Sequence, residues 1–441
     1  MKKHALTMVL LCLVLFSANC QKNQSSSYNY SNSGDGKLAS SHISIRNDDL
    51  DLEIKYTGEV RFNEDETAIQ SMSPQGALFF RKNKFKLTAE SDANGKITYE
   101  MYDGSSKLSI NDAAGKQFLA DAIKELINYG VDAKGSVERL YKKGGITAVL
   151  NRTEQMKSDY AKGIYLDHLL ANHSASATEL QTIAEKTSTF IGSDYEKGKL
   201  LGKYAEKFSA EPQSHNAYFA AVSSINSDYE KAKVLKTVLQ QTLPPAAYEQ
   251  AIGITRSINS DYEKANVLKK LIEKGKLEGG AYNKLLDIVA LINSDYEKAG
   301  VAMRLIEKGI PSGQAYDQFL KVLGHINSDY EQSRVMKKML EQPIPAQADL
   351  DKILALLGNI GSDYEKAGVL KKIATKELNI EQWVSLINAT TQVSSNYEKA
   401  TVLLQIAGQM PKNEKTQAAY QQVAKTVSSD HEYGRVMRAL E

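Results

Sequence analysis

The chain lacks most of what usually marks a catalytic or disulfide-built protein. Only two cysteines occur in 441 residues, Cys12 and Cys20, too few for a disulfide framework. Neither sign of charge dominates: 55 basic residues face 53 acidic ones, so bulk electrostatics gives no drive toward nucleic acid or membrane surfaces. After the first twenty residues no stretch approaches the roughly 18 apolar residues of a membrane span. There is no His-Glu-x-x-His, no Gly-x-Ser-x-Gly and no Gly-rich phosphate loop at a strand–helix junction. The seven histidines are scattered. His168 and His173 are spaced wrongly for one helical face, and no cysteine backs them as metal ligands. The expectation is a protein that is not an enzyme and has no cofactor and no metal.

What is present begins with an export signal. Lys2 and Lys3 open it, Leu6 to Phe16 form a short apolar core, and residues 1–19 read as a signal peptide. Ser17-Ala18-Asn19-Cys20 is similar to the lipobox of bacterial lipoproteins, with Asn19 a departure from the small residue preferred there. That likeness implies that Cys20 carries lipid (a palmitate-type acyl group) and that Cys12 leaves with the signal. Residues 20–41, rich in Ser, Asn, Gln and Gly, read as a flexible tether.

From about His42 the hydrophobic period becomes two. Leu52, Ile54 and Tyr56, then Val60 and Phe62, then Phe85 and Leu87, then Ile97, Tyr99 and Met101 alternate with polar residues, as half-buried strands do. Asn94-Gly95 and Asp103-Gly104 suit tight hairpin turns. Residues 42–110 are therefore expected to form an antiparallel meander of five or six strands. Asp112 can cap a helix to about Asn128 with Phe118, Leu119, Ile123, Leu126 and Ile127 on one stripe, stopped by Gly130. Two further helices, Ser136–Lys143 and Ile146–Met156, complete a linking segment over 111–156. The acidic clusters Asn47–Asp51 and Asn63–Glu66 lack calcium-loop spacing and read as solvated turns.

The larger part, 157–441, is a repeat. Ile225-Asn226-Ser227-Asp228-Tyr229-Glu230-Lys231-Ala232 recurs with its serine at 158, 193, 227, 260, 294, 328, 362, 395 and 429, at intervals of 33 to 35 residues. A fixed period of that size marks an array of supersecondary units. Ser193, Ser227, Ser260, Ser294, Ser328, Ser362, Ser395 and Ser429 begin Ser-x-x-Glu capping boxes, and the aspartate adds negative charge at the helix N-terminus. Gly192, Asn226, Asn259, Asn293, Asn327 and Gly361, just before the serines, tolerate the left-handed conformation that ends a helix. Softer breaks at Gly275, Gly309-Ile310-Pro311 and Pro343-Ile344-Pro345 split each unit into helix A and helix B. The fold class is α+β: a small antiparallel β-meander followed by an α-solenoid of about nine two-helix, HEAT-like repeats.

Two sets of residues are candidates for contact with a partner. Tyr160, Tyr195, Tyr229, Tyr262, Tyr296, Tyr330, Tyr364 and Tyr397 share one slot, which the apolar stripe through Ala232 and Leu235 predicts to be buried between units. A second aromatic slot, at Tyr248, Tyr282, Tyr316 and Trp383 of helix B, reads as core. On helix A a varying lane remains: Lys233, Asn266, Gly300, Arg334, Gly368 and Thr401 at the sixth position, with Thr237, Lys270, Arg304, Lys338, Lys372 and Gln405 at the tenth. Its binding candidates are Lys233, Asn266, Lys270, Gly300, Arg304, Arg334, Lys338 and Lys372, facing an acidic protein or peptide. The plain alternative is a solvated face.

The period equals that of tetratricopeptide repeats, whose Trp/Leu-Gly/Tyr signature is missing. The Ser-Asp-Tyr-Glu phrase, with Gly58-Glu59-Val60-Arg61-Phe62-Asn63 and Ser71-Met72-Ser73-Pro74-Gln75-Gly76, resembles the extracytoplasmic region carried by some β-lactam-sensor-type membrane metallopeptidases and by certain bacterial lipoproteins. The likeness spans about residues 42–441, and the metallopeptidase part has no counterpart. It implies a sensing or interaction module at the cell envelope, periplasmic or surface-facing, with membrane contact through the lipid alone and no nucleic acid. The second function reading is binding of an envelope polysaccharide through exposed aromatic slots.

Overall fold

The computed structural model describes residues 25–31, 38–210, 212–275, 280–309, 313–342 and 347–441. The signal peptide 1–19, lipidation at Cys20, and the breaks at Ile310-Pro311 and Pro343-Ile344-Pro345 lie outside them. Two compact units emerge, Met1–Asn172 and His173–Glu441. The division falls after the first A helix rather than at 156, because that helix packs along its predecessor within the first unit.

In the first unit the period-two stretches form strands β1 (Ser25–Ser31), β2 (Ser40–Arg46), β3 (Asp51–Thr57), β4 (Val60–Phe62), β5 (Ile69–Met72), β6 (Ala77–Lys82), β7 (Phe85–Ser91), β8 (Ile97–Asp103) and β9 (Ser106–Leu108). Seven make one antiparallel sheet in the order β1-β2-β3-β6-β7-β8-β9, and β4 pairs with β5 as a separate hairpin. Alternation puts Ile43, Ile45, Leu52, Ile54, Leu78, Phe80, Leu87 and Ala89 inside. Gly95 and Gly104 take positive φ in the turns that flank β8, as Asn-Gly and Asp-Gly require. The tether expectation is corrected at Ser25–Ser31. These residues pair in register with Arg46–Ser40, because an antiparallel edge satisfies backbone groups without needing an apolar run.

Helix α1 (Ala113–Asn128) buries Leu119, Ile123, Leu126 and Ile127 and is followed by Gly130 at φ 90°. Its Phe118 meets Phe85 at 6.0 Å and its Glu125 binds Lys82 at 2.7 Å. Helix α2 (Ala133–Gln155) is two helices joined at Gly144 and Gly145, where the backbone leaves helical geometry. Helix α3 (Asp159–Asn172) opens the first repeat phrase.

Glu66 departs from the solvated-turn expectation. It turns inward to accept from Ser136 (2.6 Å), Arg152 (2.9 Å) and Arg139 (3.3 Å), while Asp132 accepts from the Phe62 N–H and Arg139, both at 2.9 Å. Burial pushes both carboxyls upward. At Glu66 the Ser136 hydroxyl and the two guanidiniums outweigh it and the net shift is downward, whereas at Asp132 burial wins. The paired hairpin β4–β5 is thereby fastened to α2.

The second unit repeats one design. Its A helices are Asp194–Lys203, Asp228–Val238, Asp261–Lys274, Asp295–Lys308, Asp329–Met339, Asp363–Ala374, Asn396–Ala407 and Asp430–Arg438, each packed on the next. The B helices between them bury Tyr282, Tyr316, Leu350 and Trp383, as the core reading of that slot expects, whereas Tyr248 is only half-buried; Tyr218 and Tyr420, three residues further along their helices, are buried as well. Gly275 ends its A helix where a Cβ would strike the Tyr248 ring, whose hydroxyl donates to the Leu271 carbonyl.

Every polar residue of the phrase except tyrosine has a structural partner. The serine caps its own helix: Ser260 Oγ accepts from Glu263 N–H at 3.3 Å, and the pattern recurs at the other seven predicted caps. The reciprocal half of the capping box is overturned, because the serine N–H is taken by the aspartate one repeat earlier. Asp261 Oδ2 accepts from Asn293 N–H (3.0 Å) and Ser294 N–H (2.8 Å), and Asp194, Asp228, Asp295, Asp329 and Asp363 do the same for their successors. The residue before the serine is therefore not left-handed, since none of the six predicted takes positive φ. It offers its N–H to that carboxylate instead. The lysine reaches the C-terminal end of its own B helix, as Lys298 does to His325 O (2.9 Å) and Lys366 to Gln392 O (3.1 Å). The glutamate pairs with a lysine of the preceding A helix, as Glu297 does with Lys269 (3.0 Å) and Glu365 with Lys337 (2.8 Å).

Replacing Asp261 by Ala removes the acceptor for two backbone donors and is expected to cost about 2 kcal/mol, with Asp261→Asn retaining part of it. Hydrogen exchange should quicken first at the Asn293 and Ser294 amides; unchanged protection there would refute the clamp. A second expectation concerns pH. Burial pushes Tyr316 up to about 12 from the ordinary 10.0. The unfolded chain therefore loses this proton first, and stability held below pH 10 declines between there and about 12. Helical circular dichroism followed against tyrosinate absorbance measures it.

Candidate functional site

The tyrosine slot is the largest correction to the sequence reading. Tyr195, Tyr229, Tyr262, Tyr296, Tyr330, Tyr364 and Tyr397 are 57–68% exposed rather than buried. The buried residues of one A helix, Lys231, Val234, Leu235 and Val238, centre about half a turn away from Tyr229 at 3.6 residues per turn. Ala232 lies at the edge of that stripe and was a poor guide to its direction. Tyr160, in the first unit, is intermediate in exposure. Because the A helices stack in order, the seven rings form a ladder, one rung per repeat.

The predicted lane runs beside it. Asn266, Lys270, Gly300 and Arg304 come together around a hollow of ≈ 750 Å³ that Tyr262 also lines. Arg334, Lys338, Gly368 and Lys372 line a second hollow of ≈ 580 Å³ with Gln405, and Met303 borders both. Lys233 stands apart from both, 5.7 Å from the Tyr229 ring and 3.4 Å from Glu230. The sequence reading overlooked the ninth helical position. Lys236 and Lys269 line the first hollow and Lys337 and Lys371 the second, each reaching toward the glutamate of the next repeat. Gly300 and Gly368 leave the room those amines occupy: a Cβ would meet Lys269 Nζ at 3.1 Å and Lys337 Nζ at 2.8 Å.

Charge in the lane is partly neutralised within each helix. Lys270 pairs with Glu273 (3.3 Å), Arg304 with Glu307 (2.9 Å), Arg334 with Glu331 (2.9 Å) and Lys338 with Glu341 (2.7 Å). Burial pushes Glu365 upward, but the bonds from Lys337 and Ser333 outweigh it and hold its carboxyl low. Of the five cations around the second hollow, Arg334, Lys337, Lys338 and Lys371 each have a glutamate partner, and Lys372 has no ion pair among the described residues. Arg334 also bridges ring and lane, its Cζ 5.8 Å from the Tyr296 centroid and 5.9 Å from that of Tyr330. Such a face offers aromatic surface, cation–π contact and charged donors.

Among the described residues no group of three His, Cys, Asp or Glu is placed to hold a metal ion, and no helix is long and apolar enough to cross a membrane. Fold and face together define an α+β protein whose larger unit is a two-helix repeat solenoid bearing one aromatic and cationic face. No family model matches the chain, and no curated protein matches it.

Tetranitromethane should nitrate Tyr262, Tyr296, Tyr330 and Tyr364 while sparing Tyr218, Tyr282 and Tyr420. Peptide mass spectrometry maps the products, and protection of the A-helix rings would contradict the ladder.

Proposed function

We propose that this chain is a non-enzymatic lipoprotein of the bacterial cell envelope that acts as a helical-repeat scaffold for an acidic protein or peptide. The observation that carries the reading is the division of labour inside the phrase. Ser, Asp, Glu and Lys each hold the array together, whereas the tyrosine is repeated in seven A helices yet stays mostly exposed. A large ring kept in water at every repeat serves no packing purpose, and tyrosine and arginine are the side chains that anchor interfaces. Lys372, which has no ion pair among the described residues, favours an acidic ligand at the second hollow. The export signal and lipobox-like Cys20 support the envelope location, with the lipid as the membrane contact.

The exposed rings also favour a second reading, in which the ladder binds an envelope polysaccharide. Trp383 would not report on it, being only 4% exposed. The ladder tyrosines are the groups to monitor.

The triple variant Arg304→Glu, Arg334→Glu, Lys338→Glu should weaken binding of a fluorescein-labelled poly-glutamate peptide by more than about tenfold, and added salt should weaken the parent in the same direction. Circular dichroism checks that the helices persist. Undiminished binding by the variant would remove the lane from the function.

A further inference from the structure

The geometry points to the conformation of the ligand. We propose that the tyrosine ladder reads an extended, proline-containing acidic peptide in the polyproline II form, three residues to each ring. This rests on the reading of the ladder and lane as a ligand face and specifies which peptides it accepts.

Stride selects this conformation. Packed helices lie roughly 8–10 Å apart, and each A helix carries one ring at the same position, so the rungs share that spacing. One local check is available: because Arg334 Cζ lies within 5.9 Å of both rings, the Tyr296 and Tyr330 centroids are at most about 12 Å apart. A β-strand presents one face about every 6.6 Å and falls out of step after a single rung. An α-helix advances about 5.4 Å per turn and would meet a ring only on alternate turns. Polyproline II advances about 9 Å in one turn of three residues, so each third residue returns to the same side at the ladder's own interval.

The chemistry of the rungs agrees with that stride. Exposed tyrosines in a row give ridges between which proline rings seat, the mode by which aromatic grooves take proline-rich segments. The cations lie to one side of the rings, around the hollows at Gly300 and Gly368. A ligand with a carboxylate at every third position would lay those groups along the lane while the other two residues of each turn meet the rings. Between Tyr296 and Tyr330 the guanidinium of Arg334, 5.8 and 5.9 Å from the two centroids, sets a cation beside the rings where a carboxylate of the ligand can end.

The test uses the full chain and fluorescence anisotropy. A labelled peptide repeating Glu-Pro-Pro is compared with one of identical composition whose glutamates are grouped at one end. Soluble peptidoglycan fragments serve as competitor. The repeating peptide should bind at least about tenfold tighter than the grouped one, and Tyr296→Ala with Tyr330→Ala should abolish that difference. Both rings are about 60% exposed, so the double variant leaves the core intact. Equal affinity for the two peptides, lost together in the Arg304, Arg334 and Lys338 charge-reversal variant, would overturn the three-residue stride while the acidic-ligand reading stands. Failure of both peptides to bind, with saturable binding of the glycan, would overturn both and assign the ladder to polysaccharide.

Discussion

One carboxylate holding two backbone N–H groups of the next repeat is the bond on which the array depends. It satisfies donors that would otherwise be orphaned at the start of a helix, and it does so from outside that helix. Because the aspartate and its serine open the same A helix, each phrase is both held by the repeat before it and holds the repeat after it. The starts of the A helices are thereby set at a fixed offset from one another. The variation in period between 33 and 35 residues is left to the loops and B helices. Spacing of the tyrosines follows directly, since each ring sits one residue past its aspartate.

The same clamp explains why so much charge lies inside. Lys231, Lys264, Lys298 and Lys399 are at most 6% exposed, and the glutamates beside the first three, Glu230, Glu263 and Glu297, are nearly as buried. Buried lysines are tolerated when the amine ends on helix-terminal carbonyls, as Lys298 does, because there the dipole is negative. Where Gln332 replaces the lysine, its amide donates to the Leu323 carbonyl at the end of the preceding B helix, a different contact made by a neutral donor. Burial still holds Lys399 below the usual lysine range, so the arrangement compensates the cost of desolvation without removing it.

Most of the fold was legible in the sequence. Period-two alternation marked the sheet, Asn-Gly and Asp-Gly its turns, Gly144-Gly145 the break in α2, and the repeated serines the start of every A helix in the second unit. What could not be read was the partner of any polar group lying a whole repeat away. The aspartate looked like a dipole residue and the glutamate like half of a capping box, because local rules supply only local partners. The tyrosine was misplaced for another reason. The stripe was drawn through Ala232 and Leu235, whereas Val234, Leu235 and Val238 together place its centre on the far side from Tyr229. Phase taken from the larger side chains would have put the ring in water. The sixth and tenth positions line the two hollows together with the ninth, which the variation along the phrase did not single out because it is lysine in Lys236, Lys269, Lys337 and Lys371 alike.

The last rung differs from the others. At the final junction Asn396 replaces the aspartate, and its neutral amide oxygen takes the Ser428 N–H at 2.9 Å. An amide is a weaker acceptor than a carboxylate. The asparagine compensates from its other end, because its amide nitrogen donates to the Ser428 hydroxyl at 2.9 Å, a bond that no ionised aspartate can make, so this junction exchanges a charged acceptor for a contact that runs both ways.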